Sequence, residues 1–536
     1  LTLTGPWACG ILRPAAEFKA NMDAMIREVK AEPLAMGVSK IMVAGEPEFL
    51  TEQERREKGI PLSDAVVGDL TKLGAGVRVP FQTWPSGRRR WAMADTLYML
   101  TACEAALRLR ERTLSSEGLA AACLDRIADL EPTVQAWAFL DPEYALAQAR
   151  ARDRERDDGL PLGPLHGIPV GVKDIFDTAD MPTENGTVLH AGRRPVQDAM
   201  SVALLRAAGA VILGKTVTTE LAVFHPGKTR NPHDPTRTPG GSSSGSAAAV
   251  AAAMVPLSIG SQTNGSVIRP AAYCGVVGYK PTQGLISQVG DLLQSHHLDH
   301  VGVFARSLED AALLAEALMV YDARDPNMRP TAHPTLQAAL ATQPPTPPRL
   351  AFVRTPFWDR AEADTQSRFE ALATRLGTQV EAVDLPPAFA AAADIHRTIM
   401  EADFAVSFAT EYDRGKDRLS PILREMIERG QRTSAADYRR ALEAVAPLRQ
   451  VLQALFARYD AILTPATTGE APGPESTGSP IFCTIWTLCG QPALTLPLLS
   501  GPSGLPLGVQ LVGARQDDAR LFRTAHWVTQ RLGSCG

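Results

Sequence analysis

Two serines and one lysine occupy the pattern that nucleophilic acyl chemistry requires. Ser242 lies in the turn GGSSSGS and Ser266 in the turn QTNGS, on either side of the alanine-rich run 247–253. Gly240 and Gly241 open backbone conformations closed to other residues, and the run after them is a strong helix former, which predicts Ser242 near a helix N-terminus. The second turn follows an apolar segment and offers consecutive N–H groups beside a hydroxyl, as a nucleophile with an oxyanion hole requires. Ser266 is thus the candidate nucleophile, and Thr263, Asn264, Gly265 and Ser266 are the candidate oxyanion donors.

A serine hydroxyl needs a base at neutral pH, and neither turn contains a histidine. The candidate base lies upstream in GIPVGVKD, an apolar stretch that reads as a strand ending at Lys173. Burial disfavours the ammonium. Lowering a lysine from about 10.4 to near 7 takes on the order of 4 kcal/mol, which burial can supply. Two other groups compete for the role, His166 in the same segment and Lys215 at the end of AVILGKT. The GGSSSGS turn taken alone also reads as a surface loop or a phosphate loop, but it lacks the Gly-Lys-Ser/Thr ending of the latter.

The segments HGIPVGVKD, GGSSSGS and QTNGSVIRPAAYCGVVGYKPTQG, followed by HLDHVGVFARSLEDAALL, together resemble the amidase signature family. The resemblance implies a Ser-cisSer-Lys triad with Ser266 as nucleophile, Ser242 as bridging serine in a cis peptide and Lys173 as base. It further implies hydrolysis of a carboxylic amide C–N bond through an acyl-enzyme, releasing an acid and ammonia or an amine, with no cofactor. His166 and Lys215 take structural and positioning places in the family motifs. Phe482 and Trp486 fall in a stretch that resembles one approaching the substrate, and either substrate contact or core packing suits them. Where the family often has Asp-Thr-Gly-Gly-Ser-Ile-Arg, this chain has Gln262-Thr-Asn-Gly-Ser266-Val-Ile-Arg269, so no role transfers to Gln262 or Arg269. One alternative is the glutamine-hydrolysing component of an amidotransferase, which works with partner subunits; another is a binding protein that retains the fold without catalysis.

The expected fold is α/β: a central mixed β-sheet covered by helices on both faces, with a short α/β N-terminal extension. Thr113 to Gly118 opens a helix whose inner stripe is Leu119, Cys123, Ile127 and Leu130, and a second helix covers Pro142 to Asp157. Strands are expected at 163–173, 208–216, 350–354, near 380, at 461–465, at 493–498 and at 507–513. Helices are expected at 200–207, around Phe369, Leu372 and Leu376, over much of 386–458 and from Asp517. Thr342-Gln-Pro-Pro-Thr-Pro-Pro348 is a stiff break between two α/β portions.

The first ninety residues read differently. Phe18, Met22, Met25, Ile26 and Val29 recur at helical spacing, and GEPE with GIPLSDAVVGDLTKLGAGVRVPF resembles the C-terminal end of the malate/L-lactate dehydrogenase family. A tail without the catalytic body holds no nicotinamide. Residues 1–80 are therefore expected to be a non-functional fusion of dehydrogenase-tail type, with a real accessory domain as the competing reading, 81–92 a linker, and 93–536 the amidase portion.

A net charge of -5 and a pI near 6.1 argue against nucleic acid as the main partner. Seven cysteines, without paired metal-ligand spacing, fit reduced thiols in a cytoplasmic protein. His296, His297 and His300 cluster, but their place in a loop predicts solvated or structural roles, so no metal is assigned. Neither a signal peptide nor a membrane span is expected. A small-molecule amide is the expected partner, and a homodimer is left open.

Overall fold

Short apolar runs and helices with one apolar stripe alternate along the chain, and they are joined by a single sheet. Residues 97–533 are described by a computed structural model. The dehydrogenase-like segment and the linker expected at 1–92 lie outside these residues.

Ser115 caps α1 (Ser116–Val134) by accepting the N–H of Gly118, and Leu119, Cys123 and Ile127 form its buried stripe as their spacing predicts. Leu130 is only partly buried. Then follow β1 (Trp137–Leu140), α2 (Pro142–Asp157), β2 (Pro169–Lys173), α3 (Met200–Ala207) and β3 (Val211–Thr216). The serine-bearing turns belong to α4 (Ser244–Ala251), β4 (Leu257–Gln262) and α5 (Ile268–Cys274), after which come β5 (Val277–Lys280), β6 (His300–Ala305) and α6 (Leu308–Leu318). Beyond the proline-rich break lie β7 (Leu350–Val353), α7 (Ala363–Leu376), β8 (Val380–Val383), α8 (Ala392–Ser407), α9 (Pro421–Gln431) and α10 (Ala435–Phe456). The chain returns to the sheet through β9 (Ala461–Pro465), α11 (Ile481–Leu488), β10 (Ala493–Ser500) and β11 (Pro506–Val512), and α12 (Asp518–Leu532) follows.

The sheet has eleven strands in the order β1-β3-β2-β4-β6-β5-β10-β11-β9-β7-β8. It is mixed. β3, β2 and β4 run parallel, as do β9, β7 and β8, while the strands between them pair antiparallel. Every residue of β2, β3, β4, β5, β6, β7 and β9 is buried, so both faces of the central strands are covered. β2 is shorter than the stretch 163–173 suggests. Gly167 takes φ +74 and Ile168 donates to the Leu165 carbonyl, so the chain turns there before it extends at Pro169.

The alanine-rich run sits where bulk is excluded. α4 is buried from Ser244 to Val250, and a Cβ on Gly245 would come within 2.2 Å of the Ala136 carbonyl oxygen and 2.4 Å of the Val217 nitrogen. Glycine and alanine there let the helix lie against the backbone of its neighbours. No helix among the described residues is long and apolar enough to cross a membrane.

Candidate active site

β2 ends on Lys173, and the strand beside it, β4, ends on Gln262. The parallel register sets Val172 opposite Ile259, which brings the lysine alongside Ser261. Lys173 Nζ donates to Ser242 Oγ at 2.8 Å and to Ser261 Oγ at 2.8 Å. The side chain is fully buried and has no carboxylate within ion-pair distance among the described residues. Burial lowers its pKa to about 7, against a smaller upward pull from Asp299 and Asp291.

Ser242 reaches the lysine from the turn before α4, where Gly240 has φ +83 and the Gly241–Ser242 peptide is cis. Its carbonyl accepts the Thr219 N–H at 3.1 Å. The carbonyl before it, that of Gly241, accepts from Arg269 Nη2 at 2.7 Å. Arg269 is itself buried, and its Nη1 donates to the Gly478 carbonyl at 3.0 Å. A guanidinium on α5 thus ties down the turn that carries Ser242.

Ser266 lies between β4 and α5, and the chain around it is anchored by its carbonyls. The Thr263 carbonyl is 2.9 Å from His396 Nε2, the Asn264 carbonyl accepts from Thr487 Oγ1 at 2.6 Å, and the Gly265 carbonyl accepts the Arg269 N–H. Asn264 Oδ1 accepts from Thr484 Oγ1 at 2.8 Å. Gln262 closes the turn, because its Oε1 accepts the N–H groups of Val267 and Ile268 while its Nε2 donates to Thr487 Oγ1. The amides of Thr263, Asn264, Gly265 and Ser266 have no acceptor among the described residues. Four consecutive N–H groups are therefore left without a partner among the described residues.

Beneath this turn, Thr263 Oγ1 lies 2.6 Å from both Gln294 Oε1 and Asp299 Oδ1. Asp299 Oδ2 accepts the N–H groups of Gln294 and Ser295, and burial raises the carboxyl to about 6 despite these donors. Burial holds His396 down to about 4, so its imidazole is neutral at pH 7. Ser266 is 8% exposed, and no hydrogen bond links its Oγ to Ser242 Oγ among the described residues.

The competing groups are engaged elsewhere. Lys215 Nζ donates to the carbonyls of Phe176 and Pro182 and to Thr178 and Thr183, with Asp174 at 3.3 Å. His166 Nε2 lies 2.8 Å from the Arg152 carbonyl. His300 is buried with Nδ1 2.6 Å from the Leu298 carbonyl, whereas His296 and His297 are exposed. Phe482 and Trp486 are both buried on α11, the helix that supplies Thr484 and Thr487, and Trp486 packs in an apolar cluster with Ile268, Phe389 and Ile399.

Six residues that hold this site have no assignment from sequence: Ser261, Gln262, Arg269, His396, Thr484 and Thr487. Alternation along β4 could have pointed to Ser261, two residues after Ile259. Nothing in the sequence joins His396 or α11 to the turn.

Comparison with known proteins decides the family. A profile described as amidase matches residues 119–522. The chain belongs to the amidase family. This amidase is 35% identical over 463 residues to the putative amidase AmiD of Mycobacterium tuberculosis, covering 82% of this chain and 95% of that protein. It is 34% identical over 483 residues to a glutamyl-tRNA(Gln) amidotransferase subunit of Chloroflexus aurantiacus, covering 81% and 98%. Among solved structures, the native peptide amidase of Stenotrophomonas maltophilia superposes with a TM-score of 0.71 at 33% identity, covering 80% of this amidase and 96% of that chain. The expected α/β amidase-signature fold is thereby borne out, and the enzyme is a hydrolase of amide C–N bonds. A second profile, malate/L-lactate dehydrogenase, matches residues 7–71 of the same amidase, outside the described residues.

Proposed function

We propose that this amidase cleaves a small carboxylic amide by acyl transfer to Ser266, with Lys173 as base and Ser242 as relay. Neutral Lys173 takes the proton of Ser242 as Ser242 Oγ takes that of Ser266, whose oxygen attacks the carbonyl carbon. The four amides from Thr263 to Ser266 receive the developing oxyanion. As the C–N bond breaks, the relay returns the proton to the departing nitrogen, which leaves as ammonia or an amine. Water then gives its proton to the same relay and releases the acid from Ser266.

One observation carries this reading. A buried lysine lies 2.8 Å from Ser242 with no carboxylate within ion-pair distance among the described residues, and burial brings it to about 7. The acyl group is assigned to the side of α11, where Phe482 and Trp486 stand. Residues 93–536 are taken to suffice for the reaction, with 1–80 as a fused tail and 81–92 as its linker.

The test is hydrolysis of a panel of small aliphatic and aromatic amides by the full chain and by residues 93–536, with Ser266→Ala beside each. Loss of turnover and of fluorophosphonate labelling in Ser266→Ala is the expected result. Unchanged turnover would end the assignment. The likeness to an amidotransferase component favours a second reading, glutamine hydrolysis with partner subunits, and glutaminase activity appearing only with a co-purified chain would select it.

A further inference from the structure

We infer that a cavity between α8, α10 and the loops at 282–285 and 327–331 is a binding site for a small organic anion. The cavity is open to solvent and measures about 400 Å³. Neither Lys173, Ser242 nor Ser266 lines it, and none of the residues of the 263–266 turn does. Three arginines do, Arg329, Arg449 and Arg515, and no aspartate or glutamate is among its lining residues.

The three cations lack counter-charges. None of them forms an ion pair among the described residues, unlike Arg206, Arg429 and Arg520. Arg329 Nη1 donates to the carbonyls of Pro326 and Met328, and Arg449 uses Nε on the Cys489 carbonyl and Nη2 on Gln283. Arg515 makes no side-chain hydrogen bond among the described residues. Asp518, the acid felt by Arg515, is fully engaged with Tyr279 and Thr282 beneath the cavity.

Arg515 acts on Arg449 as a like charge, and Asp518, which opposes this at Arg515, does not line the cavity. Burial, and then the charge of Arg515, hold the Arg449 guanidinium below its ordinary value. Forked guanidinium groups match the oxygens of a carboxylate or a phosphate better than any other ligand chemistry. The rest of the wall is divided between apolar side chains, among them Leu298, Ile399, Leu442 and Val445, and polar ones, among them Thr282, Asn327 and Gln516. The occupant is therefore an anionic head group carried on an apolar body.

Isothermal titration of the full chain with sodium octanoate at low ionic strength tests this, with inorganic phosphate in a parallel arm and Arg515→Gln beside the native protein. Saturable binding that weakens roughly tenfold or more in Arg515→Gln, and less in Arg515→Lys, is expected. Tighter binding of octanoate names a carboxylate ligand, and tighter binding of phosphate a phosphate-bearing one. Arg515 lies outside the catalytic machinery, so amide hydrolysis and unfolding temperature should be retained, which separates lost binding from lost folding. Two results overturn the site: no saturable binding of either anion, or octanoate binding that Arg515→Gln leaves unchanged and that blocks fluorophosphonate labelling of Ser266. The latter would place the ligand in the active site.

Discussion

An ammonium group taken out of water without a partner releases its proton more readily, and Lys173 is held in that condition. Its neighbours are two hydroxyls, while Asp299 and Asp291 act on it only as a weaker opposing field. At about 7 a large share of the side chain is uncharged at neutral pH. Because the folded-state value lies below the ordinary one, the neutral base is lost as pH falls. The kcat/KM for an uncharged amide should therefore rise with pH through about 7 and level off above it. A profile flat between about pH 5.5 and 9 would remove Lys173 from the role. The threonines of α11 act at one remove. Thr487→Val deletes the donor to the Asn264 carbonyl and the acceptor of Gln262 Nε2. We expect kcat to fall roughly 100-fold with KM little changed, since the turn is misplaced rather than removed. An equal loss in KM would mean a role in binding. Ser242 and Ser266 were legible because each sits in its own glycine-bearing turn. Thr487 was not, because a threonine in an apolar helix looks the same whether or not it meets such a turn.

Elements place these residues by close approach and by register. α4 carries no large side chain on its first turns, and Gly245 lies so near Ala136 and Val217 that one methyl group has no room. Gly245→Ala should lower stability by about 2–4 kcal/mol, read as a fall in unfolding temperature, together with activity, because Ser242 moves with the helix start. An unaltered unfolding temperature would show that the helix can yield without loss. Most strands and helices were legible from period and punctuation. β4, read only as an apolar segment, was not named as a strand, and β1, β5 and β6 were not seen at all. Their sequences, WAFL, VGYK and HVGVFA, are short or interrupted by glycine, and they extend only because neighbouring strands supply their backbone partners. The start of β2 was misjudged for the converse reason, a positive φ at Gly167 that continuous apolar character conceals.

At the scale of the molecule, Lys173 is one of three buried lysines among the described residues displaced in the same direction. Burial brings Lys280 to about 7 and Lys215 to about 8, the latter despite Asp174. Each binds its proton less tightly folded than unfolded, so stability rises with pH from about 7 toward the ordinary lysine range. The buried thiols oppose this only above their ordinary value of 9.0, since burial raises them. Through these amines, unfolding at about pH 8 should take up protons, measurable from unfolding enthalpies in buffers of different ionisation heat. Proton release there would contradict the buried, uncharged state of these amines. Read alone, the sequence picked out Lys173, Ser242 and Ser266 as the candidates for the chemistry and gave their order. A turn with its hydroxyl and its row of amides is made by adjacent residues, and adjacency is what a sequence records. Only the tertiary structure decided that the lysine is buried without an ion-pair partner and that the amides have no acceptor among the described residues. Burial of one nitrogen depends on every element packed around it, and the anchors at His396 and Thr487 lie 133 and 223 residues from the carbonyls they hold.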